Sequence, residues 1–385
     1  MVKYLILDDL NSFECIGSKC SYTCCKDWKI SVDSASARFY RNVRGKFGEE
    51  LKNGIIDKEG NSYFQLNEGR CPFLNEDSLC DIYIHLGADH LCDTCKVYPR
   101  RNWVYGDLTF VGKAISCPEV ARILFESAAP LPFGFSEDVS VSNEDVDWTV
   151  FNLYVKGMTT SIEILQNHEL DFKVRMRAVL LFNYYFEKYL NSDHDCTELF
   201  DMFSSTDSIL VLTEKVNHLN TNYDSRITLF LAVAQNISEI LDNKPIIEYV
   251  SFGVNYLQNP KENAGLKIEQ FWSDKNCLEN KIDMDHIHEQ YGVYYISMYY
   301  MDFFKDKQPY KFMVQFFTLF YLQNCFEAFV YNKNMENLAL NDLIEIYTKT
   351  ARNYEHSSEN KNLETTFSIL EKNKMTSLAF LMSLV

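Results

Sequence analysis

Tyr310-Lys-Phe-Met-Val-Gln-Phe-Phe-Thr-Leu-Phe-Tyr-Leu-Gln-Asn-Cys-Phe-Glu-Ala-Phe-Val-Tyr331 reads as one buried helix. It is too long for a strand, contains neither glycine nor proline, and repeats apolar residues at three and four spacing without alternation. Gln315, Gln323, Asn324 and Glu327 interrupt it, so it is not the unbroken apolar span of roughly 18 residues that a membrane helix needs. Outward from this stretch, Lys173–Leu190, Arg226–Leu241, Tyr291–Lys305 and Leu340–Arg352 repeat the same period. With 28 Phe and 24 Tyr in the chain, such segments imply large buried faces. The expected fold is mainly α, with an all-α helical domain over residues 149–385 that has room for a substrate groove.

The front of the chain reads differently, since 10 of its 14 Gly and 5 of its 8 Pro fall at or before residue 134. Glycine and proline punctuate loops, so residues 1–126 are expected to form a loop-rich cysteine module. Residues 127–148, with Pro130, Pro132 and Gly134, are expected to be a linker. Two domains are the default for 385 residues.

Of the formal charge of -17, the first 120 residues contribute little: 15 Lys+Arg stand against 17 Asp+Glu there, and 22 against 37 in the rest. An acidic chain lacks the basic footprint of a nucleic-acid binder. A lysine-rich protein partner suits an acidic surface, as does plain solvation. The opening Met-Val-Lys-Tyr-Leu-Ile-Leu-Asp-Asp-Leu has too short an apolar run for a signal peptide, and no small-residue cleavage site follows. A cytoplasmic, reduced protein without a transmembrane segment is expected.

Nine of the twelve cysteines lie in the first 117 residues, in four groups: Cys15, Cys20, Cys24 and Cys25; Cys71 and Cys80; Cys92 and Cys95; and Cys117. Loops of two to four residues can aim two thiolates at one metal, and further ligands then come from other loops. A disulfide framework suits small exported domains, which this is not. Structural zinc uses C-x2-C pairs. The Cys71-Pro72 and Cys117-Pro118 pairs resemble the closing Cys-Pro of ferredoxin-type iron-sulfur runs. Adjacent Cys24 and Cys25 are awkward ligands for one centre, and one or two centres remain open. Cys196, Cys277 and Cys325 stand alone and read as packing residues.

Phe13-Glu-Cys15-Ile-Gly-Ser-Lys-Cys20-Ser-Tyr-Thr-Cys24-Cys25-Lys-Asp-Trp28-Lys-Ile-Ser-Val-Asp33, Cys71-Pro-Phe-Leu74 through Leu79-Cys80, Thr94-Cys95-Lys-Val-Tyr98-Pro99-Arg100 and Ser116-Cys117-Pro118-Glu119 follow in order. Together they resemble the flagellin lysine N-methylases, themselves similar to a wider group of zinc- or iron-chelating cysteine-cluster proteins. Glu355-His356 and the closing Ser377–Leu381 look similar to the family's ends. The resemblance implies S-adenosylmethionine as methyl donor, an oxygen-labile [4Fe-4S] cluster, with zinc as the alternative metal, and a lysine of flagellin as acceptor. The implied metal ligands are Cys15, Cys20, Cys24, Cys25, Cys71, Cys80, Cys95 and Cys117. Cys92 occupies a position where the family has another residue and is set aside; Lys26-Asp27 replaces a more usual glycine.

No two glycines are spaced G-x-G, so the glycine-rich loop of common methyltransferases is missing. The C-x3-C-x2-C triplet of radical S-adenosylmethionine enzymes is also missing, because Asp27 fills the third place after Cys20 and Cys24. A cluster then implies radical activation, or a structural or redox-gating role. Polar transfer instead needs a deprotonated lysine, whose free pKa is roughly 10.4. Near the thiolates, Tyr98 and Asp27 are the candidate catalytic groups, with Asp33 close by. Arg100 is a candidate clamp for the donor's carboxylate, and Trp28 a lid over the cofactor. The rival classes are a non-catalytic iron-sulfur electron carrier and a zinc-stabilised interaction protein. Asp283, Asp285, His286, His288 and Glu289 crowd like a second metal site, though a solvated loop is the simpler reading.

Overall fold

The computed structural model describes residues 12–105, 108–127, 146–216, 282–334 and 337–355, together with 2–5, 10, 131, 368, 370–372, 375–382 and 384. The Arg226–Leu241 segment, Cys277, His356 and most of the expected linker lie outside them. Helices dominate the rest. They are α1 Ser34–Asn42, α2 Lys46–Asn53, α3 Asp81–Leu86, α4 Asp93–Val97, α5 Pro118–Glu126, α6 Trp148–Leu165, α7 Phe172–Leu190, α8 Cys196–Ser204, α9 Thr206–Val216, α10 Met284–Tyr299, α11 Pro309–Lys333, α12 Leu340–Glu355 and α13 Leu378–Met382. No helix among the described residues is long and apolar enough to cross a membrane.

The starts of these helices are written locally. Asp33, Asp147, Asp171, Asp195 and Asp283 each accept a backbone N–H from the first turn that follows, which satisfies donors the helix itself cannot. Pro118 and Pro309 sit in first turns, where the missing N–H does no harm. The quoted opening stretch is α11, and Phe312, Phe316, Phe317, Phe326 and Phe329 are all buried. Helices approach closely where side chains are absent: a Cβ on Gly157 of α6 would stand 2.5 Å from Phe186, and one on Gly292 of α10 would stand 2.6 Å from Leu165.

The front is less loop-like than its glycine content suggests. It holds two three-stranded sheets, one ordered β1-β6-β5 (Val2–Leu5, Leu108–Lys113, Arg100–Tyr105) and one ordered β2-β4-β3 (Ser31–Val32, Asn61–Phe64, Ile55–Lys58). β5 and β6 form an antiparallel hairpin with Arg100 opposite Lys113, while β1 runs parallel to β6. These strands are two to six residues long, and alternation over so short a window leaves little periodic signal.

The apolar interior falls into two clusters. Ile30, Val32, Tyr40, Leu51, Phe64, Phe73, Ile82 and Cys92 form the front core. Phe110, Ile115, Cys117 and α5 share the larger core with the helices. Cys196 and Cys325 are buried in that second core. The cysteine segments therefore lie along the seam between the two.

The Asp283–Glu289 group is neither a metal site nor a solvated loop. Asp283 caps α10, His288 Nε2 lies 3.0 Å from Glu327, and Glu289 engages Arg175 and His168. One helix turn points these side chains in different directions, so sequence proximity does not become a shared site.

Candidate functional site: the cysteine seam and its cleft

Backbone contacts fold the cysteine segments together. Cys71 N–H donates to the Cys25 carbonyl at 2.8 Å, and Asp27 N–H to that of Gly69 at 2.7 Å, which pins the Cys24–Cys25 turn to the approach to Cys71. Both turn residues adopt positive φ, 64° at Asp27 and 79° at Gly69. A Cβ on Gly69 would stand 2.7 Å from the Asp27 carboxylate, so glycine is required there on two grounds. Arg70 folds the next loop back by donating to the carbonyls of Leu74 and Asn75. The Asn75 amide holds Asp81 at 2.9 Å and accepts from Leu79 N–H at 2.9 Å, which brings Cys80 round to Cys71.

Asp33 performs the same service for Cys92 and Cys95. Its carboxylate accepts from Ser36 N–H at 2.8 Å and from Asp93 N–H at 3.0 Å, fastening the start of α4 to the start of α1. Desolvation works against the charge, but these backbone donors prevail and depress its pKa to about 2. A depressed carboxylate stabilises the fold above its unfolded pKa of about 3.9, and that contribution is lost as pH falls from there toward 2. Asp33→Asn should thus lower the urea midpoint at neutral pH and weaken its fall with acid. Equal midpoints for the two proteins at pH 7 would remove Asp33 from this role.

Cys24 is the hub of the thiols. It hydrogen-bonds with Cys25, which together with burial lifts its pKa far above the ordinary thiol range. The charges of Cys20, Cys71, Cys80, Cys95 and Cys117 are each felt against that of Cys24. Burial pushes Cys71 and Cys117 up to about 12. Cys80, Cys92 and Cys117 stand at the N-caps of α3, α4 and α5, where helix N–H groups favour a thiolate. Cys92 is buried in the front core and its thiol donates to the Ser31 carbonyl at 3.7 Å. A second hydrogen bond joins it to Cys95, lowering the pKa of Cys92 and raising that of Cys95. Cys15 is exposed at the margin. Among the described residues no three Cys, His, Asp or Glu side chains stand close enough to hold one ion. The thiols are gathered into electrostatic reach of one another, not closed into a cage.

Against this seam lies a cleft of about 310 Å3 lined by Trp28, Thr94, Tyr98, Pro99, Arg100 and Arg101. Trp28 donates its indole N–H to the Cys24 carbonyl at 2.5 Å and sets its ring 5.4 Å from that of Tyr98. The Tyr98 phenol, raised by burial, bonds Ser116 Oγ at 3.3 Å. Trp28, Tyr98 and Arg100, read separately from sequence, thus meet in one cleft, while Asp27 is not part of its lining and sets its carboxylate against Gly69 and Tyr22.

Arg101 lines the same cleft and carried no signal in the sequence, while Thr94, also in the lining, stood in the quoted motif without an assigned role. Arg352 of α12 did carry one. It is a cation in the buried helical face that includes Tyr347, Thr348 and Ala351, and it reaches back to the Cys20–Cys25 turn.

A helical body with a thiol-gathering front defines a class of cysteine-cluster proteins, and sequence comparison narrows it. The profile of the FliB lysine N-methylase C-terminal domain matches residues 159–384. The chain belongs to the FliB lysine N-methylase family. It is also similar to the flagellar biosynthetic protein FliU of Salmonella muenchen, 36% identical over 120 residues, which is 29% of this chain and 71% of that protein. The lysine-N-methylases of Salmonella typhimurium and Salmonella choleraesuis are each 34% identical over 120 residues, 29% of this chain and 30% of theirs. The matched part therefore spans less than a third of those two methylases. No solved structure matches the chain.

Proposed function

We propose that this chain is a cytoplasmic, S-adenosylmethionine-dependent protein-lysine N-methyltransferase whose acceptor is flagellin and whose front cysteines bind a [4Fe-4S] cluster. The observation that carries the reading is the gathering of thiols around Cys24 in a chain of the FliB lysine N-methylase family. The acidic rear of the chain suits a lysine-bearing protein partner.

The residues fit a thiolate-bound centre by donor type. Thiols from four segments converge, and burial with mutual repulsion raises five of them, Cys20, Cys24, Cys71, Cys80 and Cys117. A soft cation removes that repulsion by binding them ionised. Four of Cys20, Cys24, Cys25, Cys71, Cys80, Cys95 and Cys117, with Cys15 at the margin, would hold it, the others remaining as neighbouring thiols or ligands of a second centre. When bound, the cluster supplies a redox-active or structural centre beside the cleft.

The remaining work falls to the cleft. A lysine amine attacks only when neutral, so its proton must leave first. The Trp28 and Tyr98 rings exclude water along one wall, which favours the neutral amine. The Tyr98 phenol is held protonated by burial; it orients an amine by hydrogen bonding and is not the base near neutral pH. Asp27, set against Gly69 and Tyr22, does not line the cleft and is not placed to take that proton directly.

Arg100 stands at the cleft edge with its guanidinium 6.0 Å from the Phe13 ring, free to clamp the donor's carboxylate from two nitrogens. Arg100→Lys should weaken donor binding by about 1 to 3 kcal/mol and leave metal content unchanged. Calorimetric titration with S-adenosylmethionine checks this, and equal affinities would free Arg100 from the donor site.

The function as a whole is tested by mass spectrometry of flagellin co-expressed with and without this chain under anaerobic conditions. Methylated lysines only in its presence support the reading; identical flagellin in both samples counts against it.

A further inference from the structure

Arg352 is 2% exposed, and its guanidinium is committed wholly to backbone. Nε donates to the Ser116 carbonyl at 3.1 Å, one terminal nitrogen to Thr23 at 2.9 Å and Lys26 at 3.1 Å, and the other to Tyr22 at 2.7 Å. The plane lies 3.8 Å over the Tyr22 ring. Among the described residues no carboxylate forms an ion pair with it, and the Asp27 carboxylate stands beside the same Tyr22 side chain.

A buried cation without a directly paired anion is expensive, because backbone carbonyls replace lost water without neutralising the charge. A neutral amide could serve some of those carbonyls with a smaller desolvation penalty. What the guanidinium adds is its charge, and the location of its contacts shows where that charge is used. Tyr22 and Thr23 lie between Cys20 and Cys24, Lys26 follows Cys25, and Ser116 precedes Cys117.

We propose that Arg352 is a positioning residue for the Cys20–Cys25 turn and the counter-charge for an anionic four-thiolate centre to which the Cys20, Cys24 and Cys117 segments contribute ligands, through which the helical domain controls the front site. This rests on the reading that these cysteines bind metal. The α12 helix approaches the turn from the other core, over 320 residues along the chain from Tyr22, so the turn takes its shape only when the helices are packed. The flat fork fixes four carbonyls in one plane, and the positive charge offsets the excess negative charge that four thiolates place around an iron-sulfur core. A reduced centre carries one more electron than an oxidised one, so a fixed cation beside it favours reduction.

The test uses full-length Arg352→Lys and Arg352→Gln beside the wild type. Hydrogen exchange of the metal-free proteins reads the strap: both variants should lose about tenfold in amide protection over residues 20–27, the equivalent of roughly one net hydrogen bond to a charged group. The midpoint reduction potential of the iron-loaded proteins reads the charge. Arg352→Gln should fall below the wild type and Arg352→Lys should recover most of the difference, a pattern that a purely mechanical strap does not produce. Wild-type iron uptake with an unchanged potential in Arg352→Gln would overturn the counter-charge role alone. A wild-type chain that takes up no iron or other thiophilic metal would overturn the metal reading and this role with it.

Discussion

Cys24→Ala is expected to abolish most metal binding and to destabilise the front core, whereas Cys92→Ser keeps the metal. Cys24 lies within electrostatic range of five other thiols, so its loss removes the centre of the donor set. A four-thiolate zinc site supplies about 10 to 16 kcal/mol of apparent binding energy that doubles as folding energy, and losing one ligand forfeits a large share of such a sum. Cys92 differs because it is buried in the front core with its thiol on the Ser31 carbonyl. A serine hydroxyl can make that bond. Metal analysis and visible absorbance of anaerobically purified variants provide the check. Full metal content in Cys24→Ala, or its loss in Cys92→Ser, would mean that the Cys92–Cys95 pair is the primary donor and Cys24 a bystander.

The second large effect lies far from the cleft. Glu327 is fully buried in α11, with Oε2 3.0 Å from His288 and Oε1 accepting from the Tyr347 hydroxyl at 2.7 Å. It ties α10, α11 and α12 together at the level where Tyr291 and Tyr347 rings meet at 4.7 Å. Glu327→Ala strands two buried polar groups and opens a void, for which about 3 to 5 kcal/mol of destabilisation is expected. That is a large fraction of a total of roughly 5 to 15 kcal/mol for a typical domain. Glu327→Gln keeps an acceptor for Tyr347 and should lose less. Chemical denaturation of both variants checks the ordering; an alanine variant within 1 kcal/mol of wild type, on the order of one ordinary hydrogen bond, would show that water fills the gap. Because α12 carries Arg352, a loosened α11–α12 contact should also show as faster exchange in the Cys20–Cys25 turn.

What the sequence determined by itself was local. The period of Tyr310–Tyr331 made α11 a helix, and the same period placed α7 and α12 close to their observed limits, whereas Tyr291–Lys305 caught only the second half of α10 and ran past its end at Tyr299. Cysteine spacing marked which segments carry thiols, and Trp28, Tyr98 and Arg100 were legible as polar or aromatic groups next to them. The β5–β6 hairpin, with six residues in each strand, and the small β2-β4-β3 sheet were not legible, because their pairing is set by contacts with other strands and not by a pattern of their own. The crowded Asp283–Glu289 stretch misled for the opposite reason: five chemically suggestive residues lie together in sequence, and one turn of helix sends His288 to Glu327 and Glu289 to Arg175.

Tertiary structure alone decided that the cysteine segments share a seam between two cores, and that a cleft opens beside it. It also decided that a guanidinium from α12 holds the Cys20–Cys25 turn. A side chain on a helix can only announce that it is buried and charged; its partners are carbonyls, which every residue has and no sequence pattern marks.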